Sequence, residues 1–179
     1  DPLSHAARET KGNGKDMPPA RRRYECAGWA SAAALGEAVG VDLPPTPWQA
    51  VTPEMVRRFA RLTGDDQPLH GGEDGVAAGE VVQGALLVSL AAGLLHGVYR
   101  LPWAHAMYQA GYDKIRFRAP VRAGERIRLR ATPGRVRARG DNRFWLETAV
   151  SLDGEREAEP VLTGTFLSII VGSGGDEPR

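Results

Sequence analysis

The fold of this chain is decided by the stretch VVQGALLVSLAAGLLHGVY, which spans residues 81–99. It contains no Asp, Glu, Lys or Arg, and Glu80 and Arg100 bound it. A stretch this long and apolar forms either a membrane-spanning helix or a helix that a soluble protein buries on all sides. A glutamine, a serine, a histidine and three glycines interrupt it, and the sequence holds no second such stretch. We therefore expect a buried central helix and no membrane partner.

After this helix the hydrophobic period changes to two, which is typical of strands separated by turn residues. The predicted strands are 112–118 (YDKIRFR), 126–131 (RIRLRA), 142–152 (NRFWLETAVSL) and 160–171 (PVLTGTFLSIIV). Strands and helices do not alternate along the chain, which argues against a doubly wound dinucleotide-binding fold. The pattern instead predicts an α+β hot-dog fold, a long antiparallel sheet wrapped round one apolar helix.

A shorter helix is predicted before the central one. Thr52 is placed to act as its N-cap, Pro53 to occupy its first position, and Gly64 to end it. Apolar side chains recur at helical spacing between these signals. A small-residue helix over 27–39 and a rigid proline-rich connector over 44–47 precede it.

Length and composition indicate one globular domain with tails. The chain has 179 residues, of which 42% are hydrophobic and 25% charged. We expect a flexible N-terminal tail over 1–23, a single domain over 24–171 and a C-terminal tail over 172–179. The first residues lack the apolar segment of a signal peptide, so the expected location is the cytoplasm. One cysteine excludes an intrachain disulfide framework, and with only four histidines no metal site is expected.

Positive charge is concentrated in one part of the chain, although the formal net charge is only +1. Residues 113–143 contain eleven Lys or Arg against three Asp or Glu. Such a segment suits an anionic partner, and it equally suits the solvated outer face of a strand. Arg126 and Arg128 share one face of a predicted strand, so they are candidates for contact with a phosphate-bearing head group. No recognised nucleic-acid-binding motif accompanies them, and no nucleic-acid partner is expected.

The segment FARLTGDDQPLH, residues 59–70, carries the side chains best suited to catalysis. Gly64 ends a helix, and Pro68 keeps the residue before it out of the helical region, so a short stiff turn holds Asp65 and His70. A carboxylate and an imidazole that face one cleft form a general acid/base pair. By spacing alone, a turn-forming aspartate and a surface histidine fit as well.

This segment resembles the signature of the MaoC-like dehydratases and (R)-specific enoyl-CoA hydratases, in which an aromatic residue precedes Thr/Ser-Gly-Asp-x-Asn-Pro-Leu/Ile/Val-His. Gln67 stands where Asn is usual, which is similar to the branch related to nodulation protein N. The segment GYDKIRFRAPV at 111–121 resembles the strand-and-turn motif of the same branch, and the resemblance runs from about Leu35 to about Val171. The signature positions that match are Phe59, Thr63, Gly64, Asp65, Pro68, Leu69 and His70.

The resemblance implies a hydro-lyase that reversibly hydrates an enoyl thioester, bound to CoA or to an acyl carrier, to a 3-hydroxyacyl thioester. It implies that Asp65 and His70 are the catalytic pair and that the backbone N–H of Gly84 binds the thioester carbonyl oxygen. The free N–H groups and positive dipole end of a helix N-terminus suit this role. Close helix packing is the alternative reason for a glycine at this position.

Three further polar residues are candidate substrate contacts. Gln67 lies inside the signature, and Gln83 stands where the family usually has His. Ser89 lies one turn before Ala92, a position where the family commonly has Ser.

No metal or redox cofactor is expected, because the CoA or phosphopantetheine arm belongs to the substrate. An open sheet edge predicts a homodimer. Two alternatives to the hydro-lyase stay open. One is another thioester enzyme on the same scaffold, which adds an amine to the enoyl group or hydrolyses the thioester. The other is a non-catalytic thioester-binding subunit.

Overall fold

The computed structural model describes residues 27–65, 67–71 and 80–173. The predicted tail over 1–23 lies outside these residues. The helices are α1 Ala32–Glu37, α2 Pro53–Thr63 and α3 Gly84–Val98, with a 3₁₀ turn at Pro68–His70. The strands are β1 Ala27–Gly28, β2 Gln49–Ala50, β3 Tyr99–Arg100, β4 Ala104–Phe117, β5 Arg126–Ala138, β6 Arg143–Gly154 and β7 Leu162–Gly172.

A five-stranded antiparallel sheet forms the body of the fold, in the order β2-β5-β6-β7-β4. Alternate residues of its central strands are buried together with one side of α3, so the sheet curls around that helix. Each buried Leu, Ile or Phe contributes roughly 1.5–3 kcal/mol by leaving water. The hot-dog prediction is confirmed. Buried members of the shared core include Leu87, Leu95, Ile127, Leu146, Phe166 and Ile170.

The start and stop signals predicted for α2 are confirmed. The Thr52 hydroxyl accepts a hydrogen bond from the backbone N–H of Met55 at 3.3 Å, and Pro53 is the first helical residue. Gly64 ends the helix with a left-handed φ of 71°, which glycine adopts without steric cost. The helix predicted over 27–39 is shorter in the structure, because the Ser31 side chain caps its start.

The central helix begins at Gly84, three residues after the start of the uncharged stretch 81–99. The backbone N–H of Val82 donates to the carbonyl oxygen of Val121 at 2.8 Å. Val82 is therefore hydrogen-bonded to the loop that follows β4 and lies outside the helix. No helix within the described residues combines the length and the hydropathy that crossing a bilayer needs.

The edge strand β4 is longer and less regular than the sequence pattern indicated, beginning at Ala104 rather than near Tyr112. Three register irregularities interrupt the pairing of β4 with β7. The first half of the strand therefore lacks the regular alternation of apolar and polar residues that predicts a strand from sequence. The last irregularity adds one residue between Asp113 and Arg116, where Lys114 has a φ of 52°. Because an extra residue reverses which face the following side chains point to, Phe117 pairs with buried Leu162 and faces the inside of the sheet.

Candidate active site

The turn after α2 brings Asp65 and His70 together. The backbone N–H of Asp65 donates to Ala60 at the end of the helix, and the N–H of His70 donates to the Gln67 carbonyl oxygen. Asp65 Oδ2 and His70 Nε2 lie 3.9 Å apart. The predicted approach of these two side chains is therefore present in the structure.

The orientation of the His70 ring is fixed by one hydrogen bond. His70 is 9% exposed, and its Nδ1 lies 2.6 Å from the carbonyl oxygen of Val81. A carbonyl oxygen only accepts, so Nδ1 carries the hydrogen and Nε2 of the neutral ring holds a lone pair. Nε2 is the atom nearer Asp65. The 3.9 Å separation is too long for a direct hydrogen bond, but it lets both groups contact one oxygen atom placed between them.

His70 and Gly84 line one cleft of about 410 Å³. Gly84 is the first residue of α3, and the side chain of the N-cap residue Gln83 does not cap the helix. The N–H groups of the first helical turn have no acceptor within the helix. A cleft with the His70 imidazole in its lining and these backbone donors beside it can stabilise negative charge on a bound oxygen. Most of the remaining lining is apolar, from Val81, Val82, Leu87, Phe117, Pro120 and Val121.

Gly84 also has a packing reason to be glycine. A Cβ built on it would lie 2.7 Å from the ζ carbon of the Phe117 ring, closer than side chains pack. The close-packing explanation therefore holds in the structure. It does not exclude a role for the N–H, because the packing constraint concerns the Cβ position and the proposed role concerns the backbone amide.

The three predicted polar contacts, Gln67, Gln83 and Ser89, are not among the residues that line the cleft. Gln67 is exposed, and its backbone carbonyl oxygen accepts the hydrogen bond from the backbone N–H of His70. Gln83 is buried and its amide donates to Val56 at 3.3 Å, which links α3 to α2, while its Oε1 finds no partner among the described residues. The Ser89 hydroxyl donates to Ala85 within α3. Substrate contact by these side chains stays a prediction, and the observed bonds favour supporting roles.

Arg126 and Arg128 do not line the cleft. Arg126 binds Glu155 at 2.6 Å, and Arg128 binds Asp153 at 2.9 Å. Asp153 is 6% exposed, and although desolvation raises its pKa, hydrogen bonds from Arg130 and Arg128 outweigh that effect and hold the pKa below its ordinary value. These contacts favour a structural role for both arginines over the predicted head-group role.

Among the arginines of the basic segment 113–143, which the sequence offers as candidates for contact with an anionic head group, Arg118 lines the cleft. It is exposed and makes no ion pair or side-chain hydrogen bond with the part of the chain that the structure describes. It follows β4 directly and precedes the Ala-Pro-Val turn at 119–121.

These features define a hot-dog domain that holds an imidazole in one cleft with the N-terminus of its central helix and a carboxylate next to that imidazole. The chain belongs to the MaoC-like domain family, whose sequence profile ("MaoC like domain") matches residues 35–151. The resemblance inferred from the 59–70 signature is thereby confirmed.

Individual proteins agree with this assignment. The chain is 31% identical over 133 residues to 3-hydroxyacyl-thioester dehydratase Z of Mycobacterium tuberculosis (strain ATCC 25618 / H37Rv), covering 72% of this chain and 85% of that protein. It is 26% identical over 155 residues to nodulation protein N of Rhizobium leguminosarum bv. viciae, covering 83% and 96%. The crystal structure of the MaoC-like dehydratase from Rhodospirillum rubrum shares the fold, with a TM-score of 0.60, 20% identity and coverage of 76% and 94%.

Proposed function

We propose that this protein reversibly hydrates an enoyl thioester to a 3-hydroxyacyl thioester. The observation that carries the proposal is the placement of His70, which lines one largely apolar cleft with Gly84 at the N-terminus of α3 and whose Nε2 lies 3.9 Å from Asp65 Oδ2. A relative with 31% identity is named as a 3-hydroxyacyl-thioester dehydratase, which supports the same reaction class here.

The cleft offers each group that the reaction needs. The thioester carbonyl oxygen accepts a hydrogen bond from the backbone N–H of Gly84. This donor stabilises the negative charge that develops on the oxygen during the reaction. A water molecule between Asp65 Oδ2 and His70 Nε2 gives up a proton to one of them as its oxygen bonds to Cβ. A proton is then delivered to Cα, so the double bond becomes a Cα–H and a Cβ–OH bond. The geometry leaves open which of the two residues takes the first proton.

The lining supports a substrate with an apolar chain and an anionic carrier. Val81, Leu87 and Val121 offer an apolar surface to acyl methylenes, and Arg118, which has no ion pair with the described residues, offers its guanidinium to a phosphate. CoA and the phosphopantetheine arm of an acyl carrier protein both carry such phosphates. Either is part of the substrate, so the proposed reaction uses no separate cofactor.

Incubation with a trans-2-enoyl-CoA tests the proposed reaction. We expect loss of the enoyl absorbance and a product heavier by one water, identified as 3-hydroxyacyl-CoA by mass spectrometry. Addition of an amine to the reaction separates the alternatives, because an amine adduct or free CoA would identify a different thioester enzyme. Saturable binding of the enoyl-CoA without turnover would identify a binding subunit and contradict the proposed function.

We also propose a homodimer built on the open edge of β4. This strand runs from Ala104 to Phe117 and pairs on one side only, with β7, among the described strands. An unpaired edge of this length is a template for a second copy, and antiparallel pairing about a two-fold axis satisfies both edges. Light scattering at micromolar concentration should give about twice the chain mass of 19.3 kDa. A monomer mass would refute the pairing.

A further inference from the structure

Phe117 occupies an unusual place for a large apolar side chain. It lines the cleft beside His70, yet 55% of it is exposed. The tip of its ring fills the space that a Cβ on Gly84 would take, with the ζ carbon 2.7 Å from that point. The ring therefore covers one side of the residue at which the thioester carbonyl is proposed to bind.

The backbone under this ring is held firmly. The irregularity at Lys114 turns Phe117 inward, and the Ile115 side chain fills the Cβ space of Gly164 on the neighbouring strand. The N–H of Arg118 donates to the Val161 carbonyl oxygen at 2.8 Å. With the main chain fixed on both sides, movement at this position is limited to rotation of the half-exposed ring.

The ring lies against Gly84 in a cleft that both polar and apolar residues line. In the proposed reaction His70 and Gly84 bind the reacting atoms. Leu87 and Val121 offer apolar surface to the acyl chain. Each methylene buried against such a surface contributes about 0.8 kcal/mol. A chain can bury only as many methylenes as the space beside the ring admits.

We propose that Phe117 is a specificity-determining residue, a movable wall whose ring limits the length of the acyl chain that the cleft accepts. This inference rests on the proposed function, because it takes the ligand to be an acyl thioester. The ring acts on chain length and not on proton transfer, since it carries no group that exchanges a proton.

The test compares a short and a long substrate, crotonyl-CoA and trans-2-dodecenoyl-CoA, across matched variants. We expect Phe117→Ala to raise the ratio of kcat/KM for the long substrate to that for the short one by roughly tenfold or more, the scale for one or more added methylenes in an apolar pocket. Phe117→Leu should give an intermediate ratio. Tyr108→Ala is the matched control, because Tyr108 is an aromatic residue of the same strand, 58% exposed and outside the cleft lining. Its ratio should equal that of the wild-type protein.

Calorimetric binding of the saturated butyryl-CoA and lauroyl-CoA to the same variants gives a readout that does not need turnover. Unchanged long-to-short ratios in both Phe117→Ala and Phe117→Leu would overturn the role of Phe117 while leaving the hydratase proposal intact. Absence of turnover in the wild-type protein would instead overturn the proposed function, and the binding ratios would still decide whether the ring limits chain length. If Phe117→Ala does not fold, Phe117→Leu carries the same comparison.

Discussion

We expect Asp65→Asn and His70→Asn each to lower kcat for the proposed enoyl-CoA hydration by roughly 10²–10⁴-fold, the range for loss of a positioned proton-transfer group. Asn at position 70 keeps a side-chain N–H near the place of Nδ1, so it can still donate to Val81. It lacks Nε2, the atom that faces Asp65. Asn at position 65 keeps the shape of the carboxylate and removes its charge and basicity.

Steady-state kinetics measures this effect, with thermal unfolding to show that the fold is retained. Asp42→Asn is a suitable control, because Asp42 is an exposed carboxylate that binds Thr132 on β5 and lies outside the cleft lining. Its kcat should match the wild-type value. If the pair acts as a unit, the double variant should lose little more than either single variant. An unchanged kcat in a folded His70→Asn variant would remove His70 from the mechanism.

Local signals in the sequence were enough to predict the helices that carry this site. Thr52, Pro53 and Gly64 specify the start and end of α2 through hydrogen bonds and dihedral angles within a few residues. The uncharged stretch over 81–99 specifies a buried helix, because no soluble surface accommodates it. Since Asp65 follows α2 directly, its position next to the cleft could be anticipated from the chain alone.

What the sequence did not reveal depends on pairing between distant strands. Arg128 lies opposite Asp153 in the β5–β6 register, and that pairing gives the arginine a carboxylate partner. Phe117 faces the cleft only because β4 gains one residue against β7 after Asp113. Neither register is encoded in the alternation of a single strand. The missing Cβ at Gly84 was the one local sign that another side chain approaches closely.

Gly84 is expected to be required for two separate reasons, and a single substitution at this position would not separate their effects on activity. Its missing Cβ leaves room for the Phe117 ring, and its N–H is proposed to bind the thioester oxygen. Gly84→Ala in the wild-type chain keeps the N–H but forces a Cβ to within 2.7 Å of the ring. Activity lost in that variant would not identify which requirement was broken. The Phe117→Ala background removes the ring and separates them.

In that background, Gly84→Ala fits and keeps the N–H, whereas Gly84→Pro removes it. Proline suits this position structurally, because it is the first residue of α3 and proline is favoured there. The preceding residue, Gln83, already has a φ of −57° and a ψ of 133°, the extended conformation that a following proline requires. Thermal unfolding should therefore show a folded protein in both double variants.

We expect kcat to fall by roughly 10²–10³-fold from Phe117→Ala/Gly84→Ala to Phe117→Ala/Gly84→Pro, the usual consequence of losing one donor to a developing oxyanion. Because the stabilised charge is greatest in the transition state, the loss should appear in kcat more than in the affinity for a saturated acyl-CoA. Steady-state kinetics and calorimetric binding on the same two proteins measure both quantities. Equal kcat values in the two variants would show that the N–H plays no part, and that Gly84 is required only to make room for Phe117.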